Sequence, residues 1–194
     1  MTVYVYMRKR SNRQMLTSVE EVPGPYWSLW RRRRFPAGEL APGDRVLLVD
    51  HWREDDRLSW EVTPTHVEHL VVESKADAIA HISRTFAVDE DVVADDSYLS
   101  GKEDLRSVLL AWTAEPVCRL NLPRPPGLKI ERHGWARLAE AETEQLLATA
   151  KQLAEAEAAA LGLSGPHDES TDDEGPPRPD VVALEAFHDT VDAR

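Results

Sequence analysis

The sequence predicts an α+β fold: a small β-barrel with one inserted helix, followed by a helical, partly disordered acidic tail. Three observations carry this expectation. Residues 3–72 and 107–138 break into short runs of β-branched, aromatic and leucine residues separated by Pro/Gly punctuation. Such strands at short spacing favour a small barrel over a βαβ fold. Residues 75–87 place Ile79, Ile82 and Phe86 at helical spacing behind Ser74. At residue 139 the composition turns to Ala, Glu, Leu and Gln, all strong helix formers.

Taken in order, residues 3–7 alternate Val, Tyr, Val, Tyr, Met and predict a first strand. A basic polar loop follows at residues 8–14, then an irregular segment at 15–22 and the breaker Pro23-Gly24-Pro25. Residues 26–30 are aromatic and read as strand or loop, and the Arg run at 31–34 reads as solvated. Two turns, at 35–38 and 41–44, deliver residues 45–49 into a buried strand: Pro42 presets φ, Gly43 accepts positive φ, and Val and Leu enter the sheet. A charged connection at 53–57 leads to strands at 58–62 and 65–72. Ser74, with Asp77 three residues on, predicts the cap of the inserted helix. The acidic stretch 88–103 reads as a loop or lid. Strands are expected at 107–113 and 117–122, with a last strand-like piece around Gly134-Trp135. The expected organisation is a barrel domain at 1–138, a helix at 139–163, an acidic Pro-rich disordered linker at 164–180 and a short amphipathic helix at 181–194.

The net charge of −12 is unevenly placed. Residues 1–138 carry 20 Lys+Arg against 21 Asp+Glu, and residues 139–194 carry 3 against 14. The acidity belongs to the tail, so basic patches on the body can still meet a polyanion. Cys118 is the sole cysteine, excludes an internal disulfide and is expected as a buried thiol in a reducing compartment. The N-terminal charges follow a very short apolar run, the wrong order for a signal peptide. No run reaches the ~18 apolar residues of a membrane span. The expectation is a cytoplasmic protein with no membrane partner.

Chemistry-bearing residues concentrate in residues 26–52. Tyr26, Trp27 and Trp30 are candidate stacking faces for a planar base, an interaction worth about 1–3 kcal/mol per base. Trp60 and Trp112 sit inside strand patterns and read as core; Trp52 and Trp135 fall between the two roles. Arg8, Arg10 and Arg13, with Arg31, Arg32, Arg33 and Arg34, are candidate phosphate contacts. Ser11, Asn12 and Asp50 stand at strand ends, where they either read a base edge or shape a turn. His66-x-Glu68-His69 has a superficial metal-site look, but two His three apart on a strand point to opposite faces and no third ligand accompanies them. Neither metal nor cofactor is expected. There is no glycine-rich phosphate loop or nucleophile elbow, so a non-enzymatic binding module is expected.

The order of elements, with Trp30, the turn Pro42-Gly43-Asp44 into Val46-Leu47-Leu48-Val49, the inserted helix and the closing Gly134-Trp135, resembles the PUA-like superfamily, nearest its EVE, YTH and ASCH branches. The resemblance covers residues 3–138. It implies a small barrel whose mouth accepts a flipped-out or single-stranded base, with an aromatic cage around a modification. It places Trp27 and Trp30 at the pocket wall, Asn12 or Asp50 as edge readers and the Arg run on phosphate. The implied partner is nucleic acid, DNA before RNA, in a restriction or modification context. Two alternatives stand beside it. One is a regulatory subunit that binds a protein through residues 164–194. The other is an ASCH-type hydrolase using one of Lys9, Lys75, Lys102 or Lys129.

Overall fold

The computed structural model describes residues 2–8, 25–33, 35–52, 55–95, 99 and 103–161. The expectations for residues 9–24, for the linker at 164–180 and for the helix at 181–194 lie outside the described residues.

The described chain is an α+β fold of strands β1 (Thr2–Arg8), β2 (Tyr26–Trp30), β3 (Arg45–Trp52), β4 (Asp55–Val72), β5 (Ser107–Pro123) and β6 (Trp135–Ala139) with helices α1 (Lys75–Phe86), α2 (Glu90–Ala94) and α3 (Glu140–Ala160). The strands form one sheet in the order β2-β5-β4-β3-β1-β6. Only β1 and β3 run parallel, with Tyr4 opposite Val46 and Arg8 opposite Asp50; the other pairings are antiparallel. Parallel strands are commonly covered on both faces, so their sequences lose polar alternation. The runs VYVY and VLLV obey this: Val3–Tyr6 and Val46–Val49 are all buried.

Three apolar clusters account for the burial. Alternate residues Tyr4, Tyr6, Val46 and Leu48 join Tyr26, Leu110, Trp112 and Trp135 on the concave side of the sheet. Their neighbours Val3, Val5, Leu47 and Val49 face the other way and pack with Leu147 and Ala150 of α3. Leu29, Leu109 and Ala111 pack with Ala78 and Ile82 of α1 and with Val93 of α2. Period-two alternation therefore sorts each strand between an aromatic interior and a helix-covered exterior.

The sheet is curled. Tyr6 of β1 and Tyr26 of β2 lie 5.6 Å apart by ring centroid, although four strand spacings, roughly 19 Å in a flat sheet, separate those strands. Trp112 of β5 and Trp135 of β6 meet at 5.8 Å. Yet no backbone ladder joins β2 to β6 among the described residues. In place of a hydrogen-bonded closed barrel, the sheet is open at the backbone level and drawn together by aromatic packing.

Four sequence expectations change in detail. The strand pairs expected at 58–62 with 65–72, and at 107–113 with 117–122, are two long strands. They pair across register shifts at Leu58/Trp60, Glu61/Val62 and Pro64/His66, and such bulges bend a strand without ending it. The acidic loop contains α2, and it buries Val93 and Leu99 completely. Cys118 is exposed, not buried, because it lies in the exposed middle of β5, between Ala114 and Leu120, which pack on the core clusters. Ser74 caps α1 as expected, its hydroxyl accepting from the Asp77 N–H at 3.0 Å. No helix among the described residues is long and apolar enough to cross a membrane.

Candidate functional site

The concave face gathers four of the predicted site residues, Tyr26, Trp30, Arg8 and Asp50, in a different arrangement from that expected. On β2, Tyr26, Ser28 and Trp30 alternate with Trp27 and Leu29. Tyr26 and Trp30 turn to the aromatic interior, whereas Trp27, like Leu70, Ile79 and Phe86, packs against the buried cluster on the α1 side. Trp27 and Trp30 therefore cannot form one pocket wall. The spacing of three that separates His66 from His69 also separates these two tryptophans, so the sequence already held the signal.

Tyr26 is a packing residue, stacked on Trp112 at 4.3 Å. Its hydroxyl lies 3.4 Å from Arg8 Nη1. Arg8 makes a two-pronged bond to Asp50, with Nε and Nη2 each 2.5 Å from a carboxylate oxygen. Asp50 is 2% exposed because β3 continues past Val49, so it is an interior residue and not a strand-end reader. Burial works against the charge of Arg8, but the hydrogen bond to Asp50 and the proximity of Tyr26 outweigh it and hold the guanidinium above its ordinary value. The candidate phosphate contact and the candidate edge reader thus satisfy one another.

The Arg run separates into three fates. Arg31 pairs with Glu103. Arg33 folds back, its Nε donating to the Ala37 carbonyl at 3.0 Å, with its guanidinium over Gly38, where a Cβ would stand 1.7 Å from Nη2. Gly38 also has φ +85°, so this position calls for glycine twice over. Arg32 is exposed, and no ion pair or hydrogen bond is found for it among the described residues. Arg34, Arg10, Arg13, Ser11 and Asn12 lie outside the described residues.

Beside Arg32, the seam between β2 and β6 carries a second aromatic group. Half-buried Phe35 stacks on Tyr4 at 5.7 Å and takes the Arg137 guanidinium over its ring at 4.8 Å. His133 stands 6.3 Å from Trp30 and 6.2 Å from Phe35. A turn delivers it: the Gly134 N–H donates to the Glu131 carbonyl at 2.8 Å, Gly134 has φ +87°, and the Met7 N–H bonds the Gly134 carbonyl. The loop bearing Phe35 is clamped from β4. His69 Nδ1 accepts from the Gly38 N–H at 2.8 Å, and Nε2 lies 2.9 Å from the Leu40 carbonyl. Those two bonds fix the neutral tautomer with the proton on Nε2.

His66 points the other way, as the alternation requires. It lies 3.1 Å from Glu68, which also receives His81 of α1 at 2.5 Å. The hydrogen bond from His81 lowers the Glu68 carboxyl below its usual range against the effect of burial, and His66 adds to the lowering. No group of three His, Cys, Asp or Glu side chains among the described residues is arranged to hold a metal ion.

Several buried polar atoms lack partners among the described residues: Ser28 Oγ, the indole nitrogens of Trp27, Trp60, Trp112 and Trp135, Arg57 Nε and His133 Nδ1. Phe35, His133 and Arg137 were not singled out by the sequence as site residues. They link to Trp30 in a chain of ring contacts, Trp30 to His133, His133 to Phe35 and Phe35 to Arg137, that the curl of the sheet makes possible.

No protein-family model matches the chain, and no curated protein matches it. Among solved structures it is similar to the ASCH protein of Zymomonas mobilis, at 14% identity and TM-score 0.46, over 75% of this chain and 94% of that one. Two single-substitution mutants of the same protein match at TM-score 0.47, with 14% and 12% identity, again over 75% of this chain and over 96% and 94% of theirs.

Proposed function

We propose that the chain is a nucleic-acid-binding module that takes a single-stranded or flipped-out base at the β2–β6 seam, in DNA before RNA. The observation that carries this reading is the pair of half-buried aromatic rings, Trp30 and Phe35, close in the chain to exposed Arg32, which has no ion pair among the described residues. The rings offer stacking area and the guanidinium a phosphate contact. Removing a base from a duplex costs a few kcal/mol, which stacking and phosphate contacts must offset. A single-stranded or modified base lowers that cost. In this reading Tyr26, Trp112 and Trp135 are the packed floor, and Arg8 with Asp50 braces one end of the interior.

The test is a binding screen with modified and unmodified 12-mer oligonucleotides at two salt concentrations. Trp30→Ala should weaken binding by about 5- to 100-fold, the equivalent of roughly 1–3 kcal/mol of lost stacking. Arg32→Ala should weaken all sequences alike and lower the salt slope by about one unit. Absence of binding to any DNA or RNA at low salt removes the proposal. Turnover of a nucleoside would replace it with the hydrolase reading.

A further inference from the structure

Resting on that reading, we infer that His133 is the polar reader of the seam: its Nδ1 accepts a hydrogen bond from the ring N–H of a lactam or imide base, as in uracil, thymine or hypoxanthine, held against Trp30 and Phe35. The side chain is 8% exposed, and its Nδ1 has no partner among the described residues. Its other nitrogen, Nε2, lies 2.7 Å from Glu131 Oε2. A carboxylate can only accept, so Nε2 carries the proton there and Nδ1 of the neutral ring is left as a lone-pair acceptor. A buried acceptor without a partner costs about 1–3 kcal/mol and is an exception that calls for a reason.

The neighbours sharpen the ligand class. Trp30 meets the imidazole edge-on at 77°, and Phe35 lies tilted at 56°. Phe35 has no hydrogen to donate, and the indole N–H of Trp30 makes no bond to Nδ1. Both rings are also only partly buried, and Arg32, two residues after Trp30, is exposed. A planar ring packing there meets two aromatic rings, and it reaches the acceptor through a small shift of the His133 ring, because Nδ1 is buried in this structure. Cytosine and adenine present a bare ring nitrogen at the corresponding edge position, which sets lone pair against lone pair. Uracil, thymine and hypoxanthine present N–H. Glu131 acts through His133 as a positioning residue, because it fixes the tautomer without needing to touch the base.

The experiment uses the full chain and fluorescence anisotropy with 12-mers of deoxyuridine and deoxyinosine, their N3-methyl and N1-methyl counterparts, and 12-mers of deoxycytidine, each repeated with the ribonucleoside form. The expected result is about tenfold tighter binding of the N–H-bearing oligomers than of the methylated ones or cytidine. His133→Phe should bind all of them within about twofold of one another, and Glu131→Ala should narrow the preference by freeing the tautomer. Equal binding of methylated and unmethylated oligomers by the unaltered protein overturns the inference without needing any variant to fold. So does a preference that survives in His133→Phe. If no oligomer, deoxy or ribo, binds at low salt, the nucleic-acid reading fails as well, which separates the two failures.

Discussion

Arg8 and Asp50 show how a pair of residues changes meaning when the fold is known. In the sequence they are a cation beside a strand and an acid at a strand end, each open to a ligand. The parallel pairing of β1 with β3 sets them opposite one another, and the carboxylate is then 2% exposed with a guanidinium across it. Removing one member of such a pair strands the other, which typically costs about 3–5 kcal/mol. Asp50→Ala is therefore expected to lose about that much stability in urea titration. Asp50→Leu with Arg8→Met should recover much of it, since an apolar pair avoids the stranded charge. A loss below about 1 kcal/mol in Asp50→Ala would show that the pair does not brace the interior. The same shift of meaning applies to Trp27, whose place on the α1 side makes it a packing residue; Trp30, three residues on, lies on the face for which the binding role is proposed.

Among the elements, α1 is the one most completely written in local sequence. Ser74, Asp77, Ala78 and Ile82 supply its cap and buried face. What the helix spacing does not contain is its fastening to β4 through His81 and Glu68. Because the Glu68 carboxyl titrates lower in the folded chain than in the unfolded one, its contribution is complete above the ordinary carboxyl range. It fades as pH falls through the folded value. Wild type should therefore exceed Glu68→Gln in stability at neutral and mildly acidic pH, and the two should converge in stronger acid. Urea midpoints measured across that range check this, and a gap that widens towards acid would contradict it. The long strands β4 and β5 are a second case. Turn-like residues such as Pro64 and Pro116 look like strand ends, but the ladder absorbs them as bulges.

For the whole molecule, charge and curl act together. Residues 164–194 hold 9 Asp+Glu against 2 Arg, so their removal takes away much of the field that repels a polyanion. A chain ending at Leu163 is expected to bind oligonucleotides several-fold tighter than the full chain at low salt. The gain should shrink as ionic strength rises. Anisotropy at two salt concentrations measures this; an unchanged salt dependence would count against it. The curl matters because it is made by side chains. Tyr6, Tyr26, Trp112 and Trp135 bridge strands that the hydrogen-bond ladder leaves far apart.

Local sequence determined the features that depend on near neighbours: the alternation of β1, the Pro42-Gly43-Asp44 entry to β3, the cap of α1 and the break into α3. Each is decided by φ preferences, side-chain period or a hydrogen bond spanning a few residues. The seam was decided by tertiary structure alone. Trp30, Phe35, His133 and Arg137 come from opposite ends of the described chain, and nothing local marks them as partners. Only the curl of the sheet, driven by burial of aromatic surface, puts them within reach of one another.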